Sequence, residues 1–377
     1  MALTGFADGP PLICPAPLAS CAAGVALALE AIAPGAFTAL DAAALLGERA
    51  AIAGLRRNGA IAPGGACRLL QAEEGALAVN LARDEDWALL PAWLETDIAP
   101  DWDTLGAHLA TRASRDLIER ARLLGLAVAP EQAPQARAWF AVQDGARRAP
   151  PAHPPLVVDL SSLWAGPLAS HLLQQAGAHV IKVESVTRPD GARRGPPTFF
   201  DLFNAGKEPV TLDFTQERDA LRALIESADI VIEASRPRAL RQLDINADAL
   251  IKGRPGLVWI SITGYGRLEP EADWIAFGDD AGIAAGLSHI MREADGRSVF
   301  CADAVADPLT GLHAALAALA AYRMGRGGLF SIALRDVAAH CALFNPPAEG
   351  WKARAADWAA HLAAQGIEAS PPRARPC

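Results

Sequence analysis

The segment spanning residues 156–214 constrains the fold of this chain more than any other. A mostly apolar run over residues 156–160 predicts a buried strand, and Gly166 and Pro167 then open a helical pattern. Proline in the first helical turn loses no hydrogen bond, because its missing N–H would have no partner there. Residues 180–183 form a second strand-like run. Together these elements predict a right-handed βαβ unit, and the loops after such strands form the ligand crevice of open α/β sheets.

Composition excludes several classes of protein. The chain has 377 residues, of which 51% are hydrophobic and 20% are charged, so we expect a substantial core and no global disorder. A net charge of −9 argues against nucleic-acid binding, which requires a basic face. It still permits a local basic pocket for a phosphorylated small molecule.

The six cysteines predict free thiols in a reducing cytoplasm, since they show neither a CxxC pair nor metal-ligand spacing. The first residues lack the basic region of a signal peptide, and no uninterrupted apolar run reaches the length of a membrane span. We therefore expect a cytoplasmic protein without a membrane partner or a metal site.

The pattern of prolines and apolar residues divides the chain into five parts. Residues 66–82 predict two strands around a turn at Glu74 and Gly75. An apolar helical stripe that predicts core packing is formed by Trp87, Leu90, Trp93 and Leu94. The predicted parts are a helical segment (1–60), a small α+β domain (61–129), a proline-rich linker (130–155), a large α/β domain (156–345) and a C-terminal tail (346–377).

Five segments, in this order, resemble the family III CoA-transferases, also called the CaiB/BaiF family: WAGPLASHLL, GAHVIKVE, FNAGKEPVTLDF, IVIEASRPRAL and ISITGYG. The resemblance runs from Leu156 to about Ala339. It implies an open, Rossmann-like parallel sheet domain that binds CoA, together with a smaller α+β domain. The segment resembling the small domain here precedes the large one, so the resemblance implies a permuted domain order. The leading helical segment resembles the end of the large domain.

The resemblance also implies an activity. In the family, an aspartate attacks an acyl-CoA thioester and forms a mixed anhydride. The released CoA thiolate then attacks the anhydride to give an aspartyl-CoA thioester, from which an acceptor acid takes the CoA. This is covalent catalysis, in which one difficult acyl transfer becomes several easier steps. Acyl-CoA and a carboxylic acid are the implied substrates, no tightly bound cofactor is implied, and the family assembles as an interlaced homodimer.

The family aspartate stands in a G-F-D or G-Y-D turn that opens a helix. An ungapped comparison places Gly278 at that position here, and Asp279 is the nearest carboxylate. The resemblance therefore implies Asp279 as the nucleophile, with Asp280 as the fallback. The alternative is structural, because aspartate at the start of a helix commonly caps free N–H groups.

The predicted CoA contacts follow the family motifs position by position. Lys207 is expected to contact a phosphate. The family has an arginine where this chain has Ser185, and Arg188, Arg193, Arg194 or Arg241 are expected to compensate. The predicted contacts are Trp164, Ala165, Asn204, Lys207, Ala234, Ser235 and Arg236.

Two other functions are alternatives. The α-methylacyl-CoA racemases share the implied fold, but they use a histidine just before the aspartate position. Phe277 or Gly278 stands there in this chain, and neither side chain can carry a proton. The second alternative is an acyl-CoA-binding homologue without catalysis, because Gly278 and Ser185 depart from the family pattern.

Overall fold

The fold was obtained as a computed structural model that describes residues 2–375. A leading helical segment comes first and contains α1 (Leu18–Ile32), α2 (Ala42–Leu45) and α3 (Glu48–Ala53). Cys377, one of the six cysteines, lies outside the described residues.

A small antiparallel sheet with helices follows the leading segment. The predicted hairpin is confirmed, with Glu73 and Glu74 as the loop between its two strands. The predicted apolar stripe is also confirmed, because Leu90, Trp93 and Leu94 are buried in one core cluster. The elements are β1 (Cys67–Ala72), β2 (Gly75–Asn80), α4 (Asp84–Ala88), α5 (Leu90–Leu94), α6 (Trp102–Leu109), α7 (Ser114–Leu124) and β3 (Ala127–Pro130), and the strand order is β1-β2-β3.

Two parts of the chain differ from the sequence expectation. The helical pattern predicted for residues 84–129 does not extend to residues 127–129, which belong to β3 because the free edge of β2 pairs with them. Residues 130–155, expected to be a linker, include strand β4 (Ala141–Asp144), which pairs antiparallel with β10 of the large sheet. In both places tertiary pairing overrides the local pattern.

The large sheet has seven strands in the order β4-β10-β9-β8-β5-β6-β7, and all neighbours except β4 and β10 are parallel. The predicted βαβ unit is confirmed as β5, α8 and β6. The elements after β4 are β5 (Leu156–Leu160), α8 (Ala165–Gln175), β6 (His179–Ser185), α9 (Pro197–Asn204), β7 (Glu208–Leu212), α10 (Arg218–Ser227), β8 (Ile230–Glu233), α11 (Arg238–Arg241), α12 (Ala247–Gly253), β9 (Val258–Thr263), α13 (Gly278–Ala284), α14 (Leu287–Asp295), α15 (Ala306–Arg323), β10 (Gly328–Ala333), α16 (Leu334–Ala342) and α17 (Trp351–Ala364).

The leading segment packs into the core of the large domain. Val25 and Leu29 of α1 are buried in the same cluster as Leu309 and Leu312 of α15. Near the other end, the expected C-terminal tail contains helix α17, whose alanines favour helix and whose Trp351 is buried in the same cluster. Residues from both ends of the chain thus contribute to one core.

Candidate active site

The candidate site lies along the carboxyl ends of the parallel strands. Trp164 follows β5, Arg236 follows β8, and Asp279 follows β9 at the start of α13. Parallel strands present their carboxyl ends at one edge of a sheet, and ligands of open α/β sheets bind in the crevice outside that edge. The topology therefore brings together side chains that are more than 100 residues apart in the sequence.

The Trp164 loop joins β5 to α8 in a constrained conformation. Leu163 has a φ of 69°, which non-glycine residues seldom adopt, and its N–H donates to Asp190 Oδ1 at 2.8 Å. Trp164 is 2% exposed and packs edge-on against Phe199 with ring centroids 5.5 Å apart. Its indole Nε1–H has no hydrogen-bond partner among the described residues. A buried donor of this kind normally has a partner, so the loop holds an unused donor.

Arg49 of α3 connects the Trp164 loop to the carboxylates near α13. Its Nε and Nη2 donate to the two oxygens of the fully buried Asp303, at 2.8 and 2.5 Å. Nη2 also lies 4.0 Å from Asp279 Oδ2, and the guanidinium carbon is 6.0 Å from the centre of the Trp164 ring. The bidentate pair fixes the plane of the guanidinium between the predicted CoA loop and the predicted nucleophile.

Asp279 is an almost buried carboxylate whose side chain is 10% exposed. Its Oδ1 accepts a hydrogen bond from the Ala304 N–H at 2.8 Å. Ala302 and Ala304 have φ values of 60° and 43°, so the backbone that supplies this donor is strained. Burial and the nearby Asp303 raise the pKa of Asp279 to about 6, against the opposing effect of Arg49. Asp279 can therefore be ionised near neutral pH while remaining poorly hydrated.

Asp280 has a structural role at the start of α13. It is buried, and its Oδ1 accepts hydrogen bonds from the Phe277 N–H and from Asn80 Nδ2, both at 2.9 Å. It therefore caps the helix and joins it to β2 of the small sheet. The capping role that the sequence left open for Asp279 belongs to Asp280. Burial raises the pKa of Asp280 to about 7.

Gly278 occupies the place of the family aspartate and has no room for a side chain. A Cβ added to Gly278 would overlap the Ala304 carbonyl oxygen and Asp307 Oδ2. Glycine at this position therefore fits the close approach of Ala304 and Asp307, which leaves no space for the aspartate that the family carries there.

We expect Gly278→Ala to destabilise the fold by about 1–3 kcal/mol, as overpacking in a tight interior does. Urea unfolding followed by circular dichroism measures this change. The matched control is Gly24→Ala in α1, where nothing lies within 4 Å of the added Cβ. That change should be neutral or stabilising, because alanine favours helix by about 1 kcal/mol over glycine. Equal effects of the two substitutions would contradict the crowding at Gly278.

Lys207 is placed differently from the sequence expectation. Its side chain is 1% exposed, and Nζ contacts Asp159 Oδ2 at 3.0 Å, Ser170 Oγ at 2.7 Å and Asn204 Oδ1 at 3.0 Å. It also donates to the Pro167 carbonyl oxygen at 3.1 Å. An ammonium group has three N–H donors, so these acceptors leave none for a ligand. The placement of Lys207 argues against the expected phosphate contact, and Asn204 belongs to the same internal network.

The turn after β8 presents a basic group. Ala234 is exposed, whereas Ser235 and Arg236 are half-buried. Partial burial and the neighbouring cations of Arg238, Arg188 and Arg83 lower the pKa of Arg236, although Asp273 opposes them. Arg188 is one of the four arginines predicted to compensate for Ser185, and it is the one that acts on Arg236. Arg238 pairs with Asp273 at 3.1 Å and Arg83 pairs with Asp86, so the positive field suited to phosphates at this turn comes mainly from Arg236 and Arg188.

The other predicted arginines are less suited to that role. Arg193 pairs with Glu184 at 2.7 Å, and Arg241 Nε donates to the Pro237 carbonyl oxygen at 3.2 Å. Arg194 is exposed. The prediction of compensating arginines therefore depends on Arg188.

Sequence reasoning did not identify Arg49, Asp303 or Asp307 as site residues. Glu48 and Arg49 form a charged pair inside an alanine-rich run, which is a weak sequence signal for a buried role. Glu48 is fully buried, and its carboxylate accepts from Arg375 Nε at 2.5 Å and Nη2 at 3.1 Å. Arg375, the last described residue, therefore forms an ion pair with Glu48, which precedes Arg49 in the sequence.

A small cavity adjoins Asp279, and a larger cavity shares part of its wall. The smaller, of about 10 Å³, is lined by Asp279 itself together with Phe300, Cys301 and Val305. The larger, of about 350 Å³, has a mostly apolar lining that includes Leu3, Trp358, Cys301 and Val305. Cys301 and Val305 line both cavities. They therefore form a wall that separates the larger apolar cavity from the small cavity beside Asp279.

Within residues 2–375, no group of three histidine, cysteine or acidic side chains is arranged to hold a metal ion. None of the helices in that part of the chain combines the length and apolar character needed to cross a membrane.

Comparison with known proteins identifies the family. The family model for CoA-transferase family III matches residues 155–368, so the chain belongs to this family. The chain is similar to a succinate–glutarate CoA-transferase of Agrobacterium fabrum, with 33% identity over 213 residues that cover 52% of this chain and 53% of that protein. It is also similar to the succinyl-CoA:glutarate CoA-transferase of Mus musculus, with 32% identity over 184 residues that cover 45% and 42% of the two chains.

Among solved structures, a CaiB/BaiF family protein from Brucella suis is similar with a TM-score of 0.43 and 29% identity, over 60% of each chain. The chain spans about half the length of the curated relatives it matches.

Proposed function

We propose that this protein is a CoA-transferase that moves CoA between an acyl-CoA thioester and a carboxylic acid. The observation that carries the proposal is the position of Asp279, which lies beside the Arg49 guanidinium that also approaches the Trp164 loop. Family membership and the similarity to named CoA-transferases support the reaction class.

In the proposed reaction, Asp279 attacks the thioester carbonyl carbon. The carbon–sulfur bond breaks, CoA leaves as a thiolate and a mixed anhydride forms on Asp279. Burial favours this step, because a poorly hydrated carboxylate is a stronger nucleophile. The Ala304 N–H holds one carboxylate oxygen, so the other is directed to the substrate. The returning thiolate then releases the donor acid and leaves an aspartyl-CoA thioester.

The proposed binding roles follow from burial and charge. Trp164 and Ala165 would contact the thioester arm, and Ala234, Ser235 and Arg236 would contact the phosphate-bearing end through the positive field of the arginines. Asn204 and Lys207 would support the loop from beneath, through the Pro167 carbonyl oxygen.

The decisive test is an exchange assay. Purified protein is incubated with an acyl-CoA and a panel of free acids, and new CoA thioesters are identified by mass spectrometry. Hydroxylamine cleavage during turnover should mark an aspartyl intermediate. An absence of exchange across the panel, with intact CoA binding, would contradict the proposal.

One observation favours a second candidate, an acyl-CoA-binding protein without catalysis. Gly278 has no room for the carboxylate that the family carries there. Binding of acyl-CoA without exchange between acids would identify this function. The racemase alternative lacks support, because the position of its histidine is occupied by Phe277 or Gly278.

We expect saturating CoA to raise the melting temperature, because a ligand that binds only the native state stabilises it by mass action. At 100 times the dissociation constant the gain is about 2.7 kcal/mol. Differential scanning fluorimetry measures the shift, which Arg236→Ala should reduce. The control is Arg218→Ala, since Arg218 forms an exposed pair with Asp244 away from the arginine group. If no CoA concentration shifts the melting temperature, both the CoA-transferase and the acyl-CoA-binding proposals are contradicted.

We further propose a cytoplasmic homodimer that needs no tightly bound cofactor and binds neither nucleic acid nor membrane. The family resemblance, which implies an interlaced homodimer, and the proline-rich segment over residues 130–155 support the dimer. Light scattering at working concentration tests the dimer, and a monomeric mass would exclude it.

A further inference from the structure

Asp307, at the start of α15, lies where the missing family side chain would be. A Cβ added to Gly278 would overlap Asp307 Oδ2, so this oxygen fills the space that a side chain at position 278 would need. Asp307 is half-buried, whereas Asp280 is fully buried. The chain therefore places a carboxyl group at position 278 in space, although the residue there is glycine.

The helix that carries Asp307 also reaches the Trp164 loop. Residues four apart lie on the same face of a helix, so Asp307 and Gly311 share one face of α15. A Cβ on Gly311 would lie 2.7 Å from the Ala165 carbonyl oxygen, which shows how closely that face approaches the loop. Asp307 thus lies one helical turn from the contact with the predicted CoA loop.

A separate observation indicates that the space beside this cluster takes a ligand. The Trp164 indole Nε1–H is buried and has no partner among residues 2–375, although the ring lies 6.0 Å from the Arg49 guanidinium carbon. A buried donor without a partner calls for an explanation, and a bound acceptor that satisfies it is one such explanation.

We propose that Asp307 is a second catalytic carboxyl, held neutral beside Asp279, that donates a hydrogen bond to the carbonyl oxygen of the bound thioester. This role rests on the proposed CoA-transferase function. As Asp279 attacks the carbonyl carbon, the π electrons move to the oxygen, and the Asp307 O–H stabilises the resulting oxyanion. When the carbon–sulfur bond breaks, CoA leaves as a thiolate and the proton remains on Asp307.

The charges around Asp307 support a neutral state. Asp279 from α13 and Asp303 from the preceding loop face it with only Arg49 of α3 as a cation, and Asp303 already occupies two donors of Arg49. The Trp164 loop, which precedes α8, adds no charge, and the one titratable side chain within α8 is His171, whose pKa burial lowers to about 3. Three clustered carboxyl groups and one guanidinium cannot all remain ionised without cost.

The pKa values order the two groups in the same way. Burial and the Asp279 carboxylate raise the pKa of Asp307 to about 7, although Arg49 and the Gly278 N–H oppose them. The pKa of Asp279 is about 6, so Asp279 ionises first as the pH rises. Between these values the nucleophile is charged while the donor remains neutral.

The test is the pH dependence of exchange in three proteins. In the wild type, kcat/KM should rise through pH 6 and fall about tenfold per unit above pH 7, as Asp307 ionises. Asp307→Asn should lose the alkaline fall, because its amide donates at every pH. Asp307→Ala should lose about a hundredfold at pH 6.5, as the removal of one oxyanion donor does. An unchanged alkaline fall in Asp307→Asn, or a hydroxylamine label on Asp307 itself, would overturn the proposed role.

A second measurement needs no turnover. Infrared difference spectra at pH 6.5 should show protonated carboxyl bands from both Asp307 and Asp280, because burial raises the pKa of each to about 7, and Asp307→Asn should remove the part that Asp280→Asn leaves in place. If Asp307→Asn removes no protonated carboxyl band, Asp307 is ionised at this pH, and the proposed neutral donor is contradicted. If the band is present and no acid is exchanged, the proposed transferase function fails instead, so the two failures are distinguishable.

Discussion

Asp279→Asn is expected to abolish CoA exchange, lowering kcat by about 10⁴-fold or more, as removal of a covalent nucleophile does. An amide oxygen is too poor a nucleophile to form the anhydride. The fold should be preserved, because the Asn oxygen can still accept from the Ala304 N–H and Arg49 retains Asp303. The measurement is exchange of CoA between two acids, with the CoA-induced thermal shift as the binding control.

Asp280→Asn is the matched comparison, one residue further along α13. Its carboxylate is buried and occupied by the Phe277 N–H and Asn80, so the loss should appear in stability rather than in exchange. The trapped acyl-enzyme should carry its label on Asp279. Full activity of Asp279→Asn, or a label on Asp280, would show that the wrong carboxylate was assigned.

Lys207→Met should destabilise the protein by about 3–5 kcal/mol, because removal of one partner from a buried ion pair leaves the other charge without compensation. Asp159 is fully buried and would lose its contact with Nζ at 3.0 Å. Urea unfolding measures the shift in midpoint. The control is Lys252→Met on the exposed face of α12, which should change stability by no more than about 0.5 kcal/mol.

The Lys207 experiment also decides between two roles. Combining Lys207→Met with Asp159→Asn removes both charges and should recover part of the lost stability, which a double-mutant cycle quantifies. A variant with normal stability but no CoA-induced shift would instead support the phosphate contact that the sequence predicts.

The predictions that the structure confirms depend on local patterns. The βαβ unit at residues 156–185 and the hairpin at Gly75 follow from apolar runs and turn residues, which neighbouring residues determine. The linker and the tail were less predictable, because β4 forms only through pairing with β10 and α17 follows a proline-rich stretch.

The candidate site was predictable only where it followed a family motif. Asp279 and Trp164 both lie near Arg49, a residue that the motifs do not contain. Arg49 is 230 residues from Asp279 in the chain (279 minus 49), and no sequence period links two such positions. Arg49 reaches Asp303 through tertiary packing, since the leading segment packs into the core of the large domain. Lys207 lies at a motif position, but the motif does not determine whether its side chain faces a ligand or the core.

The buried pair between Glu48 and Arg375 has a practical consequence for handling the protein. Glu48 precedes Arg49 in α3, so its pair with Arg375 ties the carboxyl-terminal region to the helix that carries Arg49. Shortening the chain before Arg375 would leave Glu48 buried without its cation, and a purification tag fused there would compete for the same space. Assays of this protein are therefore best made with an amino-terminal tag that is removed, and with the carboxyl end left as it is.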